Sequence, residues 1–119
     1  MRASLGVVYI AGPYSSPYSS IVRQNVAEAV AFGQQVRALG LVPVVPHVAI
    51  LPTGRTEAEY EAAMMECFEL LSRCDAVVLM PTWRSSPGAV LERAQAEDWG
   101  IEIFEGIEDL REVADGLAS

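Results

Sequence analysis

Ala76-Val77-Val78-Leu79-Met80-Pro81-Thr82-Trp83-Arg84-Ser85-Ser86-Pro87-Gly88-Ala89-Val90-Leu91-Glu92 is the stretch from which the fold is read. Its first five residues form an apolar run that stops at Pro81, as a buried strand does. Ser86 reads as an N-cap and Pro87 as the first residue of a helix that continues to Trp99. A strand feeding through a short loop into a helix delivers side chains to the carboxyl edge of a parallel sheet, where open α/β folds bind ligands. The free backbone N–H groups of that first turn, with Gly88 permitting close approach, suit a phosphate or another anion.

Glu92 lies just over one turn into this helix. Counting three back, four forward and seven forward from it gives Ala89, Ala96 and Trp99, so the carboxylate falls on the apolar stripe while Arg93 and Glu97 point elsewhere. A partly buried carboxylate costs free energy and has its pKa raised unless a partner offsets the burial. Glu92 is therefore either a functional group or a boundary glutamate hydrogen-bonded to backbone.

Outward from this unit, strands and helices alternate. Leu5 to Ala11 reads as a first strand ending at Gly12-Pro13, followed by the loop Tyr14 to Ser20. A helix runs from about Pro17 or Ser20 to Leu39 with Val22, Val26, Ala29, Gly33 and Val36 inward and Gly40 as cap. Leu41 to Val45 is a second strand, ended by Pro46-His47, and an irregular or mobile segment spans Val48 to Arg55. Thr56 and Glu59 form a capping-box pattern opening a helix whose stripe is Tyr60, Met64, Cys67, Leu71 and Cys74, with Glu69 and Arg73 paired on its wet side. Asp75 to Met80, Ile101 to Phe104 and Ile107 to Leu117 complete the pattern as strand, strand and terminal helix. Such alternation predicts a doubly wound α/β sandwich with a parallel sheet of four to five strands covered on both faces. Gly12 to Ser16, Pro46-His47 and Pro81 to Glu92 then share one edge and define the expected site.

Composition narrows the function classes. At 119 residues the chain is expected to be one domain, with 51% hydrophobic residues and a mean hydropathy of +0.25. No apolar run approaches the ~20 residues that span a bilayer. Met1 to Gly6 lacks a secretory pattern, so a cytoplasmic protein is expected. A net charge of −8 argues against extended contact with a nucleic-acid polymer. All eight basic residues are arginine, which removes lysine Schiff-base and phosphate-loop chemistry. With His47 the one histidine and Cys67 and Cys74 the two cysteines, no metal and no cofactor is assigned. Those cysteines lie seven apart in a predicted helix, about 10 Å along its axis, so reduced core thiols are expected.

Tyr9-Ile10-Ala11-Gly12-Pro13-Tyr14-Ser15, Pro43 to His47, Cys74 to Trp83, and Ser86-x-Gly88-x-x-x-Glu92, in that order, resemble the nucleoside 2-deoxyribosyltransferase superfamily, especially its small branch of uncharacterised phage and bacterial proteins. The resemblance covers nearly the whole chain. It implies a flavodoxin-like or Rossmann-like three-layer domain that acts on the N-glycosidic bond of deoxynucleosides or nucleoside monophosphates. It also implies a homo-oligomer, dimer or tetramer, with sites shared between subunits. Glu92 then matches the nucleophile, and Gly12, Tyr14, Ser15, Ser16, Ser86 and Gly88 match positions holding the 5′ end or its phosphate. Trp83 is placed to stack on a base and His47 to meet the ligand. One departure stands out: relatives carry an aspartate eight residues before the position of Asp75, where this chain has Cys67. Glu66 and Glu69 are the nearby carboxylates that could replace it. Bland alternatives remain for several positions: His47 as a loop histidine, the serines as turn and capping residues, and Trp83 as a cover for the sheet edge or an oligomer contact.

Overall fold

The computed structural model describes residues 6–50 and 56–118. Along the chain lie β1 (Val7–Ala11), α1 (Ser19–Ala38), β2 (Val42–Val44), the single turn α2 (Pro46–Ala49), α3 (Glu57–Leu71), β3 (Ala76–Leu79), a 3-10 turn (Trp83–Ser85), α4 (Pro87–Trp99), β4 (Glu102–Phe104) and α5 (Ile107–Ala118). The four strands are parallel in the order β2-β1-β3-β4. This is a flavodoxin-like, Rossmann-like order in which the direction of sheet growth reverses between β1 and β3.

Strand alternation explains the three layers. Val8, Ile10, Ala76, Val78 and Met80 face one way and pack with Ala29, Phe32 and Val36 of α1 and Leu110 and Ala114 of α5. Tyr9, Ala11, Val77 and Leu79 face the other way, against Leu71 of α3 and Ala89 and Ala96 of α4. Because both faces are covered, β1 and β3 read as continuous apolar runs rather than as alternating ones. The start of β3 is tied to β1 by the Val7 N–H, which donates to Asp75 Oδ2 at 2.8 Å.

Local chemistry sets the helix ends. Ser86 Oγ accepts the Ala89 N–H at 3.2 Å, capping α4 where Pro87 begins it. Gly100 closes the same helix at φ 72°, and the Ile101 N–H reaches back to the Ala96 carbonyl at 2.9 Å. Thr56 Oγ1 accepts the Glu59 N–H at 3.2 Å and donates to Glu59 Oε1 at 2.8 Å. The expected Glu69–Arg73 pair forms at 2.8 Å on the exposed side of α3.

Several expectations are corrected. Trp99 is 46% exposed, because the inward stripe of α4 ends at Ala96 and Trp99 is the last residue before the glycine cap. Cys74 is buried but lies beyond the end of α3 at Leu71, in the turn where its thiol donates to the Leu70 carbonyl at 3.4 Å. Tyr60 is 42% exposed rather than core. Phe32 joins the buried face of α1, whereas Val22 and Val26 are only half-buried. Pro46–Ala49 forms a helical turn, so Val48 and Ala49, expected to begin an irregular segment, are helical. Leu5 and positions 51–55 lie outside the described residues.

The close approach of the chain after β1 to Met80, just beyond β3, depends on Gly12. A Cβ there would lie 2.9 Å from Met80 Cβ and Cγ, and closer still to its sulfur. Gly12→Ala is expected to cost about 1–3 kcal/mol by overpacking. Gly88→Ala, whose Cβ meets nothing nearer than 3.5 Å, is expected to be neutral or stabilising by up to ~1 kcal/mol. Urea unfolding of both variants checks this, and equal stability of the two would contradict it.

Candidate functional site

The switch point between β1 and β3 opens into a cleft of about 1080 Å³. Its walls come from the loop after β1, the first two turns of α1 and α4, α2, and the face of α3 from Glu59 to Cys67. Glu92 lines it and is only 5% exposed. Its carboxylate accepts a hydrogen bond from the hydroxyl of Tyr9, a fully buried side chain projecting from the centre of β1. Cys67, on the facing side of α3, is the second polar neighbour of Glu92.

Burial dominates the electrostatics of this cluster. It raises the Glu92 carboxyl to about 7, while the donated hydrogen bonds from Tyr9 and Cys67 pull the other way by favouring the charged form. The Tyr9 phenol is driven far above its ordinary range by burial and then by the neighbouring Glu92 charge. Burial likewise pushes the Cys67 thiol up to about 11. At neutral pH the cluster therefore comprises two neutral donors around one carboxyl group able to hold a negative charge.

His47 is built in differently. It is 6% exposed at the start of α2, with Nε2 3.2 Å from the Gly12 carbonyl oxygen and 3.1 Å from that of Pro13. Carbonyl oxygens only accept, so the ring carries its proton on Nε2. Burial lowers its pKa and keeps it neutral. Nδ1 is buried and has no hydrogen-bond partner among the described residues. His47 thus pins the loop that carries Tyr14, Ser15 and Ser16, and Tyr14 packs beside it with ring centroids 6.2 Å apart. From the other side, Asn25 Nδ2 donates to the Tyr14 carbonyl at 3.1 Å.

Gly12, Tyr14, Ser15, Ser16, His47, Ser86, Gly88 and Glu92 all line the cleft. Trp83 does not. Its ring packs against the core face beneath α4 and is flanked by the guanidinium groups of Arg84, at 4.8 Å, and Arg93, at 5.5 Å. Trp83 therefore stands outside the cleft in which it was expected to stack on a base. Gly88 is less open than expected: the Met64 sulfur and the Tyr60 hydroxyl stand 3.5 and 3.6 Å from where its Cβ would be. Glu66 and Glu69 lie outside the wall, and Cys67 is the α3 side chain beside Glu92. Among the described residues no three His, Cys, Asp or Glu side chains cluster to hold a metal ion. Nor is any described helix long and apolar enough to cross a membrane.

Sequence reasoning missed Tyr9, Arg23 and Glu59. Tyr9 was hidden inside an apolar run, yet its parity with Ala11 places it on the α4 side of the sheet, where a hydroxyl can reach Glu92. Arg23 and Glu59 sit in the first turns of α1 and α3, helices that begin at the cleft rim.

The chain belongs to the family described as a domain of unknown function, DUF4406, whose model matches residues 6–105. That span contains every cleft residue named above. No curated protein matches the chain.

Because the Glu92 carboxyl is raised from 4.5 to about 7 by folding, the folded state binds its proton more tightly than the unfolded chain does. This contribution is full below about pH 4.5 and is lost as pH rises through about 7. Glu92→Gln is therefore expected to gain stability relative to the parent on going from pH 5 to pH 8, by on the order of 2–3 kcal/mol. Urea unfolding at the two pH values measures it; a difference that does not change with pH would show the carboxyl to be unperturbed.

Proposed function

We propose that this chain cleaves the N-glycosidic bond of a (deoxy)nucleoside or nucleoside 5′-monophosphate, or transfers its glycosyl group, with Glu92 as nucleophile. The observation that carries this reading is the Glu92 carboxyl, buried at a cleft of ligand size and oriented by the Tyr9 hydroxyl. The ordered motifs resembling the nucleoside 2-deoxyribosyltransferase superfamily support it.

In this mechanism a Glu92 oxygen attacks the anomeric carbon through an oxocarbenium-like state and forms a glycosyl ester, which water or a second base resolves. Hydrolysis and transfer differ only in that acceptor. Tyr9 holds the attacking carboxylate in place. The loop pinned by His47, with Ser15, Ser16 and Ser86, receives the 5′ end, and Arg23 stands at the same wall to meet a phosphate. No cofactor is needed. A reducing, cytoplasmic setting and an assembly of two or four copies belong to this reading, the latter motivated by exposed Met65, Val90 and Leu91. Sedimentation as a monomer would remove the assembly.

A second reading is a nucleotide-binding module without turnover, favoured by Cys67 at the position where members of the superfamily it resembles carry an aspartate. Incubation with a panel of deoxynucleosides and monophosphates separates the two. Release of free base, abolished in Glu92→Gln with the fold retained, is the outcome expected of an enzyme. Saturable binding with no base release at high protein concentration would leave the module.

Activity is expected to rise with pH through about 7, as Glu92 ionises. In Tyr9→Phe the carboxylate loses a hydrogen bond worth about 1.5–3 kcal/mol, so this acid limb is expected to move upward by about one to two pH units. An unmoved limb in a folded Tyr9→Phe variant would mean that Tyr9 does not act on the attacking group.

A further inference from the structure

Breaking an N-glycosidic bond leaves an electron pair on the base nitrogen. A neutral purine or pyrimidine leaves as an anion unless a proton meets it, and a positioned acid contributes about 10²–10⁴-fold to such a step. The groups around Glu92 are poorly suited to supply that proton. Tyr9 from β1 and Cys67 from α3 face it, but the Tyr9 proton is already engaged by Glu92 and burial makes both groups weak acids at neutral pH. Glu66, beside Cys67, is exposed and reinforces the protonated thiol. The Nε2 proton of His47 is committed to the Gly12 and Pro13 carbonyls, and burial keeps the ring neutral.

Glu59 is the second carboxyl of the wall. It lies eight residues before Cys67 on α3, about 12 Å along the axis, and its Oε1 already accepts the Thr56 hydroxyl at 2.8 Å. The other polar side chains of the wall are alcohols, phenols and the Arg23 guanidinium. Positions 51–55, Leu-Pro-Thr-Gly-Arg, contain neither a carboxyl nor an imidazole side chain.

Building on the reading of Glu92 as nucleophile, we infer that the site takes an N-glycoside whose leaving group is already cationic, such as an N7-alkylated purine or a pyridinium nucleoside or nucleotide. The step then balances without an acid. A Glu92 oxygen bonds to C1′ as the C1′–N bond breaks, the released pair neutralises the ring nitrogen, and the base departs as a neutral molecule. Water or an acceptor hydroxyl or amine then attacks C1′, loses its proton to solvent, and frees the Glu92 carboxylate. Among the described residues of the wall Glu59 and Glu92 outnumber Arg23, and the chain's charge of −8 draws cations toward it, which favours such a substrate.

The test is a comparison of kcat/KM for N7-methylguanosine against guanosine, and for a pyridinium riboside against uridine, each as nucleoside and as 5′-monophosphate, with base release followed by chromatography. The cationic member of each pair is expected to be favoured by at least about 100-fold, the low end of what a missing acid forfeits. With the pyridinium riboside, activity should rise through about pH 7 and stay level to about pH 9. Cys67→Asp, which places a carboxyl beside Glu92, should narrow the ratio at least tenfold by speeding the neutral substrates. Neutral substrates cleaved within tenfold of the cationic ones, or a fall in activity between about pH 7 and 9, would overturn the inference while leaving Glu92 as nucleophile. No base release from any of them, nor from their 2′-deoxy counterparts, would instead remove the reading of Glu92 on which it rests. The wild-type ratio and pH profile decide the matter if Cys67→Asp does not fold.

Discussion

The hydrogen bond from Tyr9 to Glu92 is the interaction on which the site depends. It joins the middle of the central strand to the second turn of α4, and both partners are buried. A buried carboxyl without a donor is costly, so Glu92 is tolerated on the inward face only because a hydroxyl meets it there. The approach of helix to sheet is set by Ala89 and Ala96, the small residues on either side of Glu92 along the same face. The phase of the helix follows from the Ser86 cap and Pro87. One residue of slip in that start would rotate Glu92 by about 100° and take it away from Tyr9.

His47 performs the complementary task for the loop after β1. Its Nε2–H joins the carbonyls of Gly12 and Pro13, while Gly12 is pressed against Met80 at the end of β3. The loop is thereby fixed to α2 and to the end of β3 before any ligand arrives. Burial acts on both titratable groups by favouring their neutral forms, with opposite consequences in pH. The Glu92 contribution fades as pH rises through about 7, whereas that of His47, lowered from 6.5, fades as pH falls below that ordinary value. Site construction and fold stability are thus coupled through the same two side chains.

The layers and the rim of the cleft were readable in the sequence because they rest on local rules. Gly12-Pro13, Pro46-His47 and Pro81 each end an apolar run, and a parallel sheet gathers such ends on one edge. The start of α4 was marked by Ser86 and Pro87 alone. What escaped depends on contacts between segments distant in sequence. Tyr9 and Glu92 are 83 residues apart, and nothing in an apolar strand marks one side chain as a donor to a helix. Trp83 next to a strand end suggested a base platform, but Arg93, ten residues on and brought back by a helix, occupies one side of its ring. Gly88 suggested open space until the α3 side chains Tyr60 and Met64 crossed toward it.

Cys67 changes the character of the carboxyl it faces. Two carboxyls in one buried site share protons, and neither titrates as an independent group. With a thiol in that place, and with thiol and phenol both driven upward by burial, Glu92 is the single member of the cluster that changes charge near neutrality. Above about pH 7 the cluster carries one negative charge held by two fixed donors, an arrangement that favours attack on carbon because the donors orient the carboxylate without neutralising it. The same donors hold their protons too tightly to give one up readily at that pH. A site composed in this way is strong in the electron pair that it offers and weak in the proton that it can give, and that asymmetry, more than the size of the cleft, limits the chemistry open to it.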